Sequence, residues 1–227
     1  IHAAGASCMS YLGVLSEIKD SDLPVYAVND TFLSKEDVPF SYKSIEAVAK
    51  DVADMIVKLL GHRRRVTLGG WSYGGVVSVS VASILETRNK IQVKSVIMLD
   101  SPIGQARYQN KLKRSGLDPF SHETDAVKAL NRNGSDDRQV SHRAFEHFKH
   151  CTALLNTFDE STQPKLRCRE IVDVRPKSGS DCNFLDTDTM SLLMESGGRV
   201  VRYLSPSGTH FSSFCSNGYC GRRFYTF

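Results

Sequence analysis

The stretch Val66-Thr67-Leu68-Gly69-Gly70-Trp71-Ser72-Tyr73-Gly74-Gly75 constrains the fold more than any other, because a β-branched run enters it and an apolar run from Val76 to Leu85 leaves it. Glycine lets a strand and a helix approach closely and lets the chain turn sharply between them. A strand that turns at once into a helix is half of a βαβ unit. The next apolar run, Val93 to Leu99, is broken only by Lys94-Ser95 and stops at Asp100-Ser101-Pro102. It reads as a neighbouring strand buried in a parallel sheet. Further strands are expected at Glu170 to Val174 and Val200 to Leu204, with a helix near Thr187 to Glu195 between them. Upstream, Val25 to Val28 forms a short strand-like run, and Ile45, Val48, Val52, Ile56 and Leu59 recur at helical spacing before Gly61. Ser44 is placed to cap that helix. The expected architecture is α/β, a mostly parallel sheet flanked by helices.

From Ser101 to about Pro164 the chain turns polar, with one clear helical stretch from Val140 to Phe158 and loop chemistry at Asn133-Gly134-Ser135-Asp136-Asp137. An insertion of that kind after a sheet strand reads as a helical lid over a cleft. The whole of 227 residues, 41% hydrophobic, fits one domain. It begins at Ile1-His2 without Met, in what reads as the tail of a strand, so it looks like a piece of something longer.

The formal net charge of +4 is small, and no long block of like charge occurs, which argues against nucleic acid or a membrane surface as partner. Arg63, Arg64 and Arg65 sit between a helix and a strand and read as a solvated turn. The six cysteines lack zinc-type pairing, and neither a membrane-spanning run nor a secretory leader is present, so a cytoplasmic protein with reduced thiols is expected.

The turn itself carries chemistry. Gly70-Trp71-Ser72-Tyr73-Gly74 is a G-x-S-x-G pattern, and its value lies in the strand before it and the helix after it, which together hold Ser72 on a strained turn as a nucleophile. A phosphate-binding turn is disfavoured because no Lys-Ser or Lys-Thr follows. A serine hydroxyl needs a base oriented by a carboxylate. His210, in the loop after the last expected strand, is the candidate base. Asp100 is the candidate acid, since it ends the strand that follows the serine's helix. Asp173 and Asp181 compete for that role, although Asp173 lies within its strand pattern and reads as surface-facing. The tetrahedral intermediate needs N–H donors, assigned to Tyr73 and Ala4, the latter in the small-residue turn His2-Ala3-Ala4-Gly5-Ala6-Ser7. His2 reads as a packed or capping residue.

Three segments in order, Leu68 to Gly75, Met98-Leu99-Asp100-Ser101-Pro102 and Gly208-Thr209-His210-Phe211, resemble the thioesterase domains of polyketide synthases and non-ribosomal peptide synthetases, within the α/β-hydrolase superfamily. The opening His2 to Tyr11 and the segment Pro24 to Asp30 look like fungal polyketide synthase members. The resemblance runs from Ile1 to about Phe211. It implies an acid at the end of the strand after the nucleophile's helix, which Asp100 matches. It also implies an acyl chain carried as a phosphopantetheine thioester on an acyl or peptidyl carrier protein within a parent multidomain synthase. That chain would pass to Ser72 and leave by hydrolysis or cyclisation, with no cofactor bound to the domain itself. The first strand apart from Ile1 is missing, and Ser212 to Gly221 lacks the helical period expected of the family's final helix.

Trp71 and Phe148 are candidates to line the acyl pocket, as are Tyr73, Phe145, Leu154 and Leu155, and packing against neighbouring strands or the core explains each of them equally well. His142, His147, His150 and Glu146 crowd the lid helix, but gaps of five and three do not put the histidines on one face, so no metal site is expected. Two other functions use the same residues: a carboxylesterase or lipase acting on free esters, and a pseudo-hydrolase that only binds.

Overall fold

The computed structural model describes residues 1–12, 23–35, 37–61, 65–88, 91–103, 138–176, 190 and 193–205, less the side chains of 138–141, 160, 176, 204 and 205. Strands β1 (Arg65–Trp71), β2 (Gln92–Leu99), β3 (Glu170–Pro176) and β4 (Arg199–Ser205) pair in parallel in that order. β1 runs further than the expected Val66 to Leu68, through both glycines to Trp71. The reason is pairing: the ladder to β2 continues as Gly69↔Ile97, Gly70↔Met98 and Trp71↔Leu99. The polar interruption in β2 is absorbed locally, because Lys94 is exposed while the buried Ser95 hydroxyl meets Thr67 Oγ1 at 3.3 Å.

Helix α1 (Thr31–Ser34) is a single turn, α2 spans Ile45–Leu60, α3 Tyr73–Thr87 and α4 Arg138–Thr157. α2 starts where Ser44 Oγ accepts the Ala47 N–H at 3.2 Å and ends at Gly61, whose φ of 69° suits glycine. Its inner face is Ile45, Val48, Ala49, Val52 and Ala53, whereas Leu59, read as part of that face, is 60% exposed. α3 is apolar all round because it is packed all round, against β1 and β2 on one side and α2 on the other. Val76, Val77, Val79, Val81, Ala82 and Leu85 show no exposure, each larger side chain contributing about 1.5–3 kcal/mol on burial. That outweighs the few tenths of a kcal/mol by which each Val disfavours a helix. The buried Ser78 hydroxyl is satisfied by the Gly74 carbonyl at 2.7 Å, one turn back.

α4 lies within the segment expected as a lid, of which 104–137 lie outside the described residues. Its inward face is His147, Cys151, Leu154 and Leu155, continued by Phe158. The run Val25–Val28 lies extended and largely exposed rather than in a sheet strand, meeting the chain start through the His2 N–H to Val28 carbonyl bond at 3.2 Å. The helix expected near Thr187 to Glu195 falls mostly outside the described residues, and 193–195 form a turn and an isolated bridge, Leu166↔Met194. Arg63 and Arg64 lie outside them too, while Arg65 is exposed at the start of β1. No helix among the described residues is long and apolar enough to cross a membrane.

Candidate active site

Ser72 stands alone between the last residue of β1 and the first of α3, with φ 53° and ψ −122°. A non-glycine residue held there costs on the order of 1–3 kcal/mol and persists only where its surroundings dictate it. The dictation is visible on both sides: the Ser72 N–H donates to the Leu99 carbonyl at 2.8 Å, and the Ser72 carbonyl accepts from Gly75 N–H at 3.1 Å. Three backbones converge at this point. A Cβ on Gly70 would lie 2.3 Å from the Gly74 carbonyl carbon, and one on Gly74 would lie 2.4 Å from the carbonyl oxygens of both Ile1 and His2. Ser72 keeps partial exposure between two buried neighbours, Trp71 at 5% and Tyr73 at 1%. The Tyr73 side chain is therefore a core group, packed 5.9 Å from the His2 ring, and burial drives its phenol pKa well up.

The Ser72 to Leu99 bond puts Ser72 and Asp100 side by side at the carboxyl edge of the sheet. Asp100 is the other non-glycine residue at positive φ among the described residues, at 46°. Its N–H donates to the Val174 carbonyl at 2.7 Å, and its side chain is 6% exposed with Arg175 Nη1 3.4 Å from Oδ1. Ser101 then packs on the start of α3 so closely that a Cβ on Gly75 would meet its hydroxyl oxygen. Asp173 corrects the sequence reading. It is fully buried, not surface-facing, with Oδ1 accepting from Arg175 Nε at 2.9 Å and Oδ2 from Arg202 Nε at 2.9 Å. The physical reason is that β3 is buried on both faces, so a charged residue in it survives only with charged partners. Asp173 is thus committed to two arginines. His210 and Asp181 lie outside the described residues.

The small-residue turn before Cys8 sits against this edge. The Ala6 N–H closes it on the Ala3 carbonyl at 3.3 Å, and Gly5 takes φ 68°. Tyr11, which carried no role in the sequence reading, bridges two elements: its hydroxyl donates to the Ile1 carbonyl at 2.6 Å and accepts from the Trp71 N–H at 2.8 Å. Burial pushes its phenol up to about 12. The Gly5 N–H donates to His147 Nδ1 at 2.9 Å, and His147 Nε2 faces Asp30 Oδ2 at 3.3 Å. Arg143, one turn earlier on α4, donates to the carbonyls of Phe32, Lys35 and Val38. The spacing of Arg143, His147 and Cys151 by four was the signal in the sequence that this helix presents one docking face.

His2, Asp30 and His147 bring one ligand-type atom each within 4.8 Å of one another. Their hydrogen bonds do not suit a cation. An Nδ1 that accepts an N–H carries a lone pair, so the neutral His147 ring has its proton on Nε2, where a metal would have to bind. The histidines of α4 differ in environment: His147 is fully buried, while His142 and His150 are exposed, His150 stacking 4.6 Å from Phe40. Phe148 is half-buried, whereas Leu154 and Leu155 belong to the core. A separate cleft of about 350 Å³ beside α2 is lined by His2, Asp30, Tyr42, Asp51 and Lys58, among others, but not by Ser72 or Asp100.

A family model described as thioesterase domain matches residues 1–209. Orsellinic acid synthase armB of Armillaria mellea is 48% identical over 191 residues, covering 76% of this chain and 8% of that protein. The chain thus spans about 8% of that relative's length. Among solved structures, RedJ-thioesterase from the prodiginine pathway of Streptomyces coelicolor matches with a TM-score of 0.69 at 18% identity, covering 97% of this chain and 80% of that one. The NocB thioesterase domain, in covalent complex with a fluorophosphonate nocardicin G analog, matches with a TM-score of 0.65 at 19% identity, covering 97% and 87%. These two likenesses give the fold.

Proposed function

The chain belongs to the thioesterase domain family, of the polyketide and non-ribosomal peptide synthase type with the α/β-hydrolase fold, and from that premise we propose that it releases an acyl chain from a carrier-protein phosphopantetheine thioester. The observation that carries the reading is Ser72 held at φ 53° between strand and helix, its side chain on the one partly open residue of the turn.

In this reading Ser72 Oγ attacks the thioester carbonyl while His210 takes its proton. The developing oxyanion is met by the N–H of Tyr73, at the first position of α3, and the N–H of Ala4. Such donors act where charge develops and are preorganised at no further cost when fixed by the fold. Collapse breaks the C–S bond, and the pantetheine thiolate leaves with the proton from His210. Water, or a hydroxyl or amine of the acyl chain, then attacks the Ser72 ester with His210 again as base. Asp100, adjacent to Ser72 across the sheet edge, orients and balances the imidazolium. Half-buried Phe148 on α4 and the rim of Trp71 line the acyl pocket. The partners are an acyl or peptidyl carrier domain and the parent synthase, no cofactor is needed on the domain, and the free thiols of Cys8, Cys151 and Cys168 suit a reducing cytoplasm.

The test compares acyl-N-acetylcysteamine thioesters with matched oxygen esters. The expected result is turnover of the thioesters at equal or better kcat/KM. A strong preference for the esters moves the chain to the carboxylesterases, and labelling of no serine by a fluorophosphonate makes it a binding module.

A further inference from the structure

The oxyanion turn is held from across the sequence by the lid helix. Gly5 N–H, in the peptide that joins Ala4 to Gly5, donates to His147 Nδ1 at 2.9 Å, both groups being buried. We propose that His147 is a positioning residue for catalysis, whose unprotonated Nδ1 fixes the Ala4–Gly5 peptide and with it the Ala4 N–H. This rests on the assignment of Ser72 and Ala4 above.

The imidazole is built in on every side. Its Nε2 faces Asp30 Oδ2 at 3.3 Å, and Asp30 is itself anchored because Oδ1 accepts the Phe32 N–H at 2.8 Å to cap α1. Phe32 stacks on the ring at 6.0 Å and 21°, Phe40 meets it edge-on at 5.8 Å, and the His2 ring lies 5.1 Å away. Cys151, one turn on, brings Sγ to 3.5 Å from Nε2. The carboxylate fixes the tautomer, the tautomer fixes which nitrogen accepts, and the accepting nitrogen fixes the turn. A ring present for packing alone has no need of this order. Arg143 ties α4 to the carbonyls of Phe32, Lys35 and Val38, the same segment that carries Asp30, so helix and turn are referred to one another rather than to solvent. A misplacement of about 1 Å in such a site costs on the order of 10²-fold in rate.

The experiment uses the full chain and two variants. In His147→Leu the ring volume is roughly kept and the acceptor lost; in His147→Asn the amide Oδ1 can occupy the place of Nδ1. The readouts are the rate of Ser72 phosphonylation by a fluorophosphonate, whose P=O oxygen enters the oxyanion site, and kcat and KM on an acyl-N-acetylcysteamine thioester. His147→Leu is expected to slow both rates on the order of 10²-fold with KM little changed, and His147→Asn to recover to within about tenfold of the parent. Equal rates for the two variants, whether both slow or both fast, overturn the proposal. An independent readout is the imidazole ¹⁵N spectrum, expected to show Nδ1 unprotonated and Nε2 protonated. An Nδ1–H ring overturns it without any turnover assay. Failure of the thioesterase reading is separate: a chain that is phosphonylated with this variant pattern but prefers oxygen esters keeps His147 in its role and loses its substrate class.

Discussion

Arg175 donates through Nε to Asp173 Oδ1 at 2.9 Å in a pair with no more than 5% of either side chain exposed. The same guanidinium donates through Nη2 to the Ser101 carbonyl at 2.7 Å and faces Asp100 Oδ1 at 3.4 Å. One buried cation thus links two carboxylates, Asp173 and the proposed catalytic acid Asp100. Removing the charge of Asp173 leaves Arg175 with only its longer contact to Asp100 at 3.4 Å, and breaking a buried pair in this way costs up to about 3–5 kcal/mol. Asp173→Asn is therefore expected to lose stability of that order in urea unfolding, while its folded fraction keeps kcat within about tenfold. Asp100→Asn is expected to lose about 10⁴-fold in kcat, as misorienting the base does in triad enzymes. Steady-state rates normalised to folded protein check both, and the opposite pattern transfers the acid to Asp173.

Gly74, beside the Ser72 turn, and Gly61, at the end of α2, differ in what surrounds them. A methyl on Gly74 meets the carbonyl oxygens of Ile1 and His2 at 2.4 Å, backbone atoms just before Ala4, the proposed oxyanion donor. Gly74→Ala is expected to displace that segment, costing at least about 2 kcal/mol and most of the activity. Gly61 has φ 69° and ψ −174°, a conformation glycine adopts freely, and nothing within 4 Å of a Cβ, so Gly61→Ala carries only backbone strain, about 1–3 kcal/mol, and leaves kcat unchanged. Thermal melts and turnover on both variants separate clash from strain.

Strain at Ser72 gives a further expectation. Glycine adopts φ 53°, ψ −122° without a Cβ penalty, so Ser72→Gly is expected to be more stable than Ser72→Ala by about 1 kcal/mol, both being inactive. Paired denaturation curves measure the difference.

Burial lowers the His2 imidazole from 6.5 to about 4, helped by the neighbouring His147. The unfolded chain then takes up this proton first as pH falls, so folding stability declines from about pH 6.5 down to about 4 and levels below, by roughly 3 kcal/mol in all. Asp30 acts lower on the scale. Burial alone would raise its carboxyl, but the His147 contact and the Phe32 N–H outweigh it and the net shift is downward. Its contribution is present above the unfolded carboxylate value and is lost as pH falls through the lower folded one. Urea unfolding of His2→Asn against the parent checks the first claim, the expectation being a loss of the slope between those two pH values.

The parallel βαβ order, Ser72 on its turn and Asp100 at the next strand end were legible because they depend on local pattern: β-branched runs, glycines at fixed offsets, a polar stop after an apolar strand. What escaped depends on contacts far apart in sequence. His147 meets Gly5 across 142 positions, and nothing local in the sequence marks that contact. Tyr11 meets Trp71 across 60. Asp173 looked surface-facing because alternation in a half-buried strand was assumed, whereas β3 is covered on both faces and its register sets Asp173 opposite Arg202. The pair Asp173 and Arg175, two apart on one strand face, was the available signal.

Ser72 is expected to form an acyl-enzyme from a carrier-type thioester. Intact-mass and peptide-mapping spectrometry, after the chain is mixed with an acyl-N-acetylcysteamine thioester and quenched early, test it most directly. One acyl adduct on Ser72 is expected, absent from Ser72→Ala, whose turnover falls on the order of 10⁶-fold. An adduct on another residue, or undiminished turnover by Ser72→Ala, would contradict it.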